Sequence, residues 1–223
     1  MQACNICGGA SFAGGPNNRM SKTGRPPRCT SCQSLERHRA ARATISLLHD
    51  ADFCDYRVLQ VSNDRCAERD WFSSFEVSVY GTETSIDLQK IDRGTGTYDM
   101  VICNHVMEHV PYDNSALNEM SRIIKASGFV FLTVPDPANV SITSDWGYPR
   151  EDQHGHYRVY GRDIEDRLRR YIPHRWVLSL DTEDPVTNVQ DMVYFILKSA
   201  VGVARILSKL PNSKVVSKPD VII

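Results

Sequence analysis

Hydrophobic and polar positions recur along this chain with two different periods, and the changes of period mark the predicted elements. Between residues 35 and 48 apolar residues recur at helical intervals with arginines between them, which predicts an amphipathic helix. Residues 57–61 form a short apolar run and residues 98–103 a continuous one, as expected for strands covered on both faces. Residues 75–80 alternate enough to predict a strand at the edge of a sheet.

The second half of the chain continues this alternation of helices and strands. An amphipathic helix begins at Asp113, and Ser127-Gly128 is typical of its capped end. The remaining elements are helices around 71–72, 162–171 and 199–210, and strands at 129–134, 176–180 and 192–197. Residues 136–160 lack periodicity but are rich in aromatic residues and histidine, so we expect a long loop that covers a site. We expect a mobile tail after Pro211.

Strands that alternate with helices predict an α/β fold with a largely parallel, doubly wound sheet. The 223 residues have room for one sizeable domain and a small appendage. We assign residues 1–34 to the appendage, 35–198 to the α/β domain, and 199–223 to a C-terminal helix and tail. Such sheets bind ligands beyond the carboxyl ends of their strands, so the residues after each strand are the candidates for a site.

Charge is distributed unevenly, although the net charge is only −1. Residues 1–42 carry seven basic residues against one acidic residue, Glu36. This basic segment predicts either an anionic partner, such as RNA or a phosphorylated substrate, or side chains that offset the cysteine thiolates and the acidic remainder of the chain. No apolar run approaches the roughly 20 residues that cross a bilayer, so we expect no membrane partner and a soluble protein.

Two close pairs of cysteines are the strongest chemical signal in the chain: Cys4-x2-Cys7 and Cys29-x2-Cys32. Zinc takes four soft ligands at about 2.3 Å, and a two-residue spacer lets both thiolates of a pair reach one ion. The loop between the pairs has turn composition and no core, so we expect Zn²⁺ to organise it. Four thiolates leave no open coordination position, which predicts a structural zinc site. The alternative is four unrelated buried thiols.

Disulfides are a weaker interpretation of the same cysteines. Three further cysteines and the absence of a signal peptide predict a reducing compartment, which we take to be the cytoplasm.

Three blocks of sequence in order carry a resemblance to a known enzyme family: residues 98–110 (YDMVICNHVMEHV), 116–120 (ALNEM) and 128–135 (GFVFLTVP). The chain resembles class I S-adenosylmethionine-dependent methyltransferases, in which these blocks are the fourth strand, its helix and the fifth strand. The cysteine pairs followed by residues 34–39, together with residues 156–163, resemble a bacterial, methyltransferase type 11-like subfamily with a zinc-ribbon lead. The resemblance covers most of residues 4–198. It implies a Rossmann-like, seven-stranded sheet with a small N-terminal zinc-binding ribbon.

The chain departs from the family in the region of the cofactor. The family's first loop is glycine-rich, whereas residues 60–64 contain no glycine. The distance from Tyr80 to Asp87 is also too short for a full helix and strand, which predicts a shortened sheet. The departures leave two alternatives, a shortened but working site and a fold that no longer binds the cofactor.

The resemblance implies a binding site for S-adenosyl-L-methionine at the strand ends. Asp87 lies twelve residues before Asp99, which matches the family spacing for the acid that recognises adenine. We assign Glu83 to the ribose hydroxyls, because a carboxylate accepts two hydroxyl hydrogen bonds. The full set of predicted cofactor-binding residues is Gln60, Val61, Ser62, Glu83, Asp87, Leu88, Asn104 and His105.

Methyl transfer from a sulfonium is a direct displacement, so the protein mainly orients two reactants and supplies a base where the nucleophile needs one. Histidine is the natural base near neutral pH, and the candidates are His156 and His105. We expect His109 to orient a neighbour and Arg158 to anchor the acceptor.

The leading hypothesis is methyl transfer to an oxygen or nitrogen nucleophile of a small molecule or glycan. The first alternative is an RNA methyltransferase that docks through the basic zinc ribbon, although the ribbon lacks aromatic residues between its basic ones. The second is a non-enzymatic interaction protein with a methyltransferase fold. The sequence identifies neither the acceptor nor the oligomeric state.

Overall fold

The computed structural model describes residues 2–49 and 51–219 of the chain. Its strands are β1 (Phe12–Ala13), β2 (Arg28–Cys29), β3 (Arg57–Val61), β4 (Ser74–Ser78), β5 (Tyr98–Asn104), β6 (Ile124–Thr133), β7 (Ser144–Arg150), β8 (His156–Val159), β9 (Trp176–Glu183), β10 (Gln190–Leu197) and β11 (Lys214–Ser217). Its α-helices are α1 (Glu36–Leu48), α2 (Asp113–Ile123), α3 (Ile164–Tyr171) and α4 (Ala200–Lys209). None of the described helices is both long and apolar enough to cross a membrane.

A seven-stranded sheet in the order β11-β9-β10-β6-β5-β3-β4 forms the centre of the molecule. The strands β6, β5, β3 and β4 are parallel, whereas β10, β9 and β11 are added in antiparallel register. The predicted Rossmann-like seven-stranded α/β fold is therefore confirmed, with a sheet that is parallel through four strands. These four strands end at one edge, which we call the carboxyl edge.

The strands at the two edges of this sheet differ from those that the sequence predicted. Residues 79–97, between β4 and β5, form turns and extended segments without a strand or helix, which agrees with the predicted shortening. The seventh strand is instead β11, which pairs with β9. The expectation of a mobile tail after Pro211 is therefore wrong for β11, and residues 220–223 lie outside the described residues.

Both faces of the sheet are covered, as the continuous apolar run of β5 requires. Val101 and Cys103 contribute to a core with α2 and α3, whereas Met100 and Ile102 contribute to a core with α1 and α4. This alternation buries every residue from Met100 to Cys103.

One predicted helix and one predicted helix end are wrong. The segment around residues 71–72 forms only a short 3₁₀ turn, Arg69–Trp71, in the link to β4. The helix α2 ends at Ile123, and Gly128 lies inside β6 instead of capping the helix. Gly128 is required by close approach to β5, because a Cβ atom there would lie 2.6 Å from the carbonyl oxygen of Asp99.

The expected long loop over residues 136–160 contains a β-hairpin, β7–β8. The hairpin packs on the 3₁₀ turn Met107–His109 that follows β5. Arg158 is buried and donates hydrogen bonds to the carbonyl oxygens of Met107, Val110 and Pro111. It therefore fixes the hairpin to the turn, and the expectation that Arg158 anchors an acceptor finds no support in these contacts.

The N-terminal segment with the cysteines docks on the body through polar contacts. Arg25 donates to the carbonyl oxygen of Val186 at 3.0 Å. Arg39, on α1, donates to the carbonyl oxygen of Ser34 at 2.9 Å and forms a bidentate ion pair with Asp184, with N–O distances of 2.8 and 2.7 Å and both side chains 0% exposed. Lys22 bonds to Asp136 and Asn139, in the loop after β6. These contacts place the cysteine-containing segment beside the carboxyl edge.

Candidate functional site

The loop after β3 has the backbone conformation that a glycine-rich loop would supply, although it contains no glycine. Ser62 adopts a left-handed conformation with φ of 80°, and its amide donates to the carbonyl oxygen of Ser78 on β4. The buried amide of Gln60 donates to the carbonyl oxygens of Ser62 and Asp64, both at 2.9 Å. The side chain of Gln60 therefore stabilises the conformation of this loop.

A polar network links this loop to β5 and β6. The amide nitrogen of Asn104 donates to Asp64 Oδ2 and to Cys66 Sγ, both at 3.1 Å. Asn104 also accepts a hydrogen bond from Thr133 Oγ1 at 3.2 Å. Sequence reasoning identified Asn104 but missed Asp64, whose only signal was its position soon after a strand.

The predicted adenosine-binding residues lie near the same edge. The Asp87 carboxylate is exposed and accepts from the backbone and side-chain amides of Gln89, at 2.9 and 3.1 Å. Glu83 is exposed, and its carboxylate makes no hydrogen bond or ion pair within the part of the chain that the structure describes. Leu88 and Val61 are buried in the same apolar core. Both carboxylates are therefore exposed to solvent.

His105 and Glu108 follow β5 in an unusual environment. His105 has φ of 50°, and its Nε2 atom is buried without a hydrogen-bond partner among the described residues. Its Nδ1 atom lies 3.9 Å from Glu108 Oε1, which is beyond hydrogen-bond range. Burial lowers the pKa of His105 well below its usual value, and Arg37 and three neighbouring histidines add to this. His105 is therefore neutral at pH 7.

Glu108 is even more enclosed than His105. Its side chain is 2% exposed, and Oε2 has no partner among the described residues. Burial raises the pKa of Glu108 to about 7, against the opposing effect of Arg37 and Arg158.

Two further histidines meet at this place from different elements. His109, on the turn after β5, and His156, at the start of β8, have ring centroids 4.6 Å apart in an edge-to-face arrangement. Burial lowers the pKa of His156 to about 4, and the nearby His109 and His154 contribute. Sequence reasoning named His156 as a base without foreseeing that it contacts His109.

A cavity of about 380 Å³ opens at the carboxyl edge beyond β6, β9 and β10. It is lined by Asp136, Pro137, Ala138, Arg162, Glu165, Asp181, Gln190, Asp191, Met192 and Tyr194. Burial raises the pKa of Asp191 to about 7, with Asp136 adding to the shift while Arg37 and Lys22 oppose it. The cavity was not predicted, because its lining comes from four separate segments of the chain.

A sequence profile of a family described as "Methyltransferase domain" matches residues 35–171, which is more than half of the chain. The chain belongs to this methyltransferase family. It is accordingly an S-adenosylmethionine-dependent methyltransferase, as its resemblance implied.

Solved structures are similar to the methyltransferase at low identity. One is the 1,6-didemethyltoxoflavin-N1-methyltransferase of Burkholderia thailandensis, with 14% identity over 70% of this chain and 77% of that one, at a TM-score of 0.45. Another is the N-methyltransferase NodS of Bradyrhizobium japonicum, with 7% identity over 70% of this chain and 86% of that one, at a TM-score of 0.47. No curated protein matches the sequence at a significant level.

In the methyltransferase, the cysteine cluster lies outside the segment that the family profile matches. The Sγ atoms of Cys4 and Cys32 are 3.7 Å apart, and those of Cys7 and Cys29 are 3.6 Å apart. A tetrahedral ion at about 2.3 Å from each sulfur would separate the sulfurs by about 3.8 Å, whereas a disulfide needs about 2.05 Å. The four cysteines therefore fit one metal ion and not two disulfides.

The two cysteine turns of the methyltransferase have the same construction. The residue after each second cysteine is left-handed, with φ of 74° at Gly8 and 64° at Gln33. Their amides donate to the carbonyl oxygens of Cys4 and Cys29, at 2.8 and 2.9 Å. The four sulfur atoms lie within 4.8 Å of one another, so both turns bring their thiols to the same place.

Proposed function

We propose that this methyltransferase moves the methyl group of S-adenosylmethionine to an oxygen or nitrogen nucleophile of a small molecule or a sugar unit of a glycan. The observation that carries the proposal is the cavity of about 380 Å³ at the carboxyl edge. Its volume lies in the range of small-molecule sites. Its carboxylates are suited to accept hydrogen bonds from hydroxyl or amino groups.

We propose that the cofactor lies along the ends of β3, β4 and β5. The backbone of Gln60, Val61 and Ser62 would face its methionine part. Ser62 supports this because it has the positive φ angle that a glycine commonly adopts in a turn. Glu83 would accept from the ribose hydroxyls, and Asp87 with Leu88 would recognise adenine. Asn104 and His105 would complete the pocket through their backbone.

Between the two candidate bases, the contacts favour His105. Its Nε2 atom is buried and has no partner among residues 2–49 and 51–219. His156 instead packs edge-to-face on His109. A neutral His105 can accept the proton of the nucleophile while the enclosed site excludes water.

We further propose that Cys4, Cys7, Cys29 and Cys32 hold a structural Zn²⁺ ion. The sulfur spacing near 3.7 Å and the paired left-handed turns support this assignment. With four thiolates as ligands, the ion would stabilise the segment and take no part in methyl transfer.

The contacts of the basic segment disfavour an RNA acceptor. Six of its seven basic side chains bond within the protein; the partners include Glu36 for Arg19, Asp136 for Lys22, Val186 for Arg25, Gln33 for Arg28, Asp184 for Arg39 and Glu68 for Arg42. Within the described residues, Arg37 is the one whose side chain makes no hydrogen bond or ion pair. Three of these side chains pair with acidic residues of the body, which supports the second interpretation of the charge pattern.

Transfer of a labelled methyl group to pooled sugars, amines and total RNA tests the acceptor class. The variant Met192→Trp places a large ring against the cavity and should lower transfer to a small acceptor at least tenfold. Its affinity for S-adenosylmethionine should stay unchanged, because Met192 lies away from β3 and β4. The variant Val201→Trp, on the exposed face of α4, is the matched control and should behave as the wild type.

Salt-sensitive transfer to RNA would contradict the proposal. So would a Met192→Trp variant that folds and methylates its small acceptor at the wild-type rate.

A further inference from the structure

A second group of metal-ligating side chains lies beyond the end of β5, apart from the cysteines. Glu108 and His109 are consecutive on the turn after β5, and His156 begins β8. One ligand atom from each of these three residues lies within 4.8 Å of the other two. Arg158 ties the two elements together through three carbonyl oxygens of the turn and the residues after it. These hydrogen bonds fix the positions of the turn and the hairpin that carry the three ligands.

The carboxylate of Glu108 is the observation that points to a ligand. Its Oε2 atom is buried and has no hydrogen-bond partner among the described residues. Its Oε1 atom lies 3.9 Å from Nδ1 of His105. Burying a carboxylate oxygen without a hydrogen-bond partner is strongly unfavourable. The charge of the nearby Arg158 stabilises the carboxylate in part, but the hydrogen bonds of Arg158 go to backbone carbonyls and to Asp145 and leave Oε2 without a partner. A cation at this position would satisfy the free oxygen.

We propose that Glu108, His109 and His156 bind a divalent metal ion. Two imidazoles and one carboxylate suit Zn²⁺, Mn²⁺ or Fe²⁺, whereas Mg²⁺ and Ca²⁺ favour oxygen ligands. Ligand atoms of a tetrahedral ion with bonds of about 2.1 Å lie roughly 3.4 Å apart, so small side-chain rotations complete the site. Three protein ligands leave coordination positions open, in contrast to the four thiolates of the cysteine cluster.

The open positions define the acceptor further, and this step rests on the proposed function. A hydroxyl oxygen of the acceptor that occupies one of them loses its proton more readily, because the cation lowers the pKa of a coordinated oxygen acid. The proton passes to His105. The O–CH₃ bond then forms as the S–CH₃ bond breaks, S-adenosylhomocysteine leaves, and the metal keeps its oxidation state. The site therefore selects an oxygen nucleophile, with His156 as a ligand.

Cobalt binding tests this site independently of methyl transfer. Equilibrium dialysis of the purified full chain against Co²⁺ should load two kinds of site, with a thiolate-to-cobalt charge-transfer band from the cysteine cluster alone. The variants His156→Ala and His109→Ala should weaken the second site at least tenfold and keep the thiolate band. The variant Cys29→Ser should show the reverse pattern. His174→Ala, which removes an exposed histidine after α3, is the matched control and should bind as the wild type.

Thermal melts establish that each variant is folded, and His109 is exposed, so its replacement leaves the core intact. The proposal is overturned if the wild type binds cobalt only with the thiolate band. It is equally overturned if His109→Ala and His156→Ala keep the second ion at wild-type affinity. Calorimetry with S-adenosylmethionine on the same samples separates this outcome from a failure of the proposed function, because the cofactor does not occupy the metal site.

Discussion

Ser62 and His105 stand at the ends of the neighbouring strands β3 and β5, and both have a left-handed backbone. This conformation costs a residue with a Cβ roughly 1–2 kcal/mol, so the surrounding structure must hold it. The bonds from Gln60 to the β3 loop and from the His105 amide to Thr133 do so. Sequence reasoning found these positions from their place after strands, but a backbone angle set by tertiary contacts has no local signal.

The cysteines were easier to foresee than the rest of the site. The spacing of the cysteines alone predicts that each pair can bind one ion. The contact among Glu108, His109 and His156 depends instead on how the β7–β8 hairpin packs on the turn after β5. The adjacency of Glu108 and His109 was visible in the sequence, but the third member lies 47 positions further along.

A pH dependence of stability follows from Asp191. Because burial raises its pKa in the folded protein to about 7, the folded state holds a proton that the unfolded chain has lost. Stability should therefore fall as the pH rises from about 4 to about 7, and Asp191→Asn should abolish that part of the loss. We expect the variant to be more stable than the wild type by about 4 kcal/mol at about pH 8, with little difference at about pH 4.

Urea unfolding of both proteins at these two values measures the effect. The exposed Asp92→Asn is the control, for which we expect parallel curves. A variant that tracks the wild type across the whole interval would contradict the environment assigned to Asp191.

At the scale of elements, the apolar periods predicted most helices and strands within a few residues. The failures share one cause, which is that tertiary contacts determined the outcome. Gly128 has the appearance of a helix cap, yet it serves the close approach of β6 to β5. The hairpin β7–β8 gave no alternating pattern, because five of the seven residues of β7 are exposed and the other two are only half-buried.

Gly128 tests this explanation. The variant Gly128→Val places side-chain atoms against the carbonyl oxygen of Asp99, at an approach of 2.6 Å for the Cβ alone. Since both groups belong to packed strands, we expect a loss of about 2–4 kcal/mol in unfolding free energy. In Gly94→Ala the nearest atom is 3.5 Å away, so that control should change stability by less than about 1 kcal/mol. Chemical denaturation measures both, and equal effects of the two substitutions would contradict the close-approach account.

At the scale of the whole molecule, the sheet brings three chemical features to one edge: the β3 loop with Asn104, the Glu108 cluster and the acidic cavity. The cysteine-containing segment reaches the same edge, where Lys22 bonds to Asp136 on the cavity wall. Order along the chain predicted the strand ends, because the rule for parallel sheets is general. It did not predict that the basic segment binds its own body, since ion-pair partners such as Arg39 and Asp184 lie 145 positions apart.

The central claim is that the ends of β3, β4 and β5 bind S-adenosylmethionine, with Asp87 at the adenine. Calorimetric titration of the full chain with the cofactor, alongside Asp87→Ala and the matched exposed control Asp92→Ala, tests it most directly. The account predicts that the wild type and Asp92→Ala bind with equal affinity, and that Asp87→Ala binds at least tenfold more weakly, a difference of about 1.4 kcal/mol. No heat from the wild type at millimolar cofactor, or equal affinities for all three proteins, would contradict it.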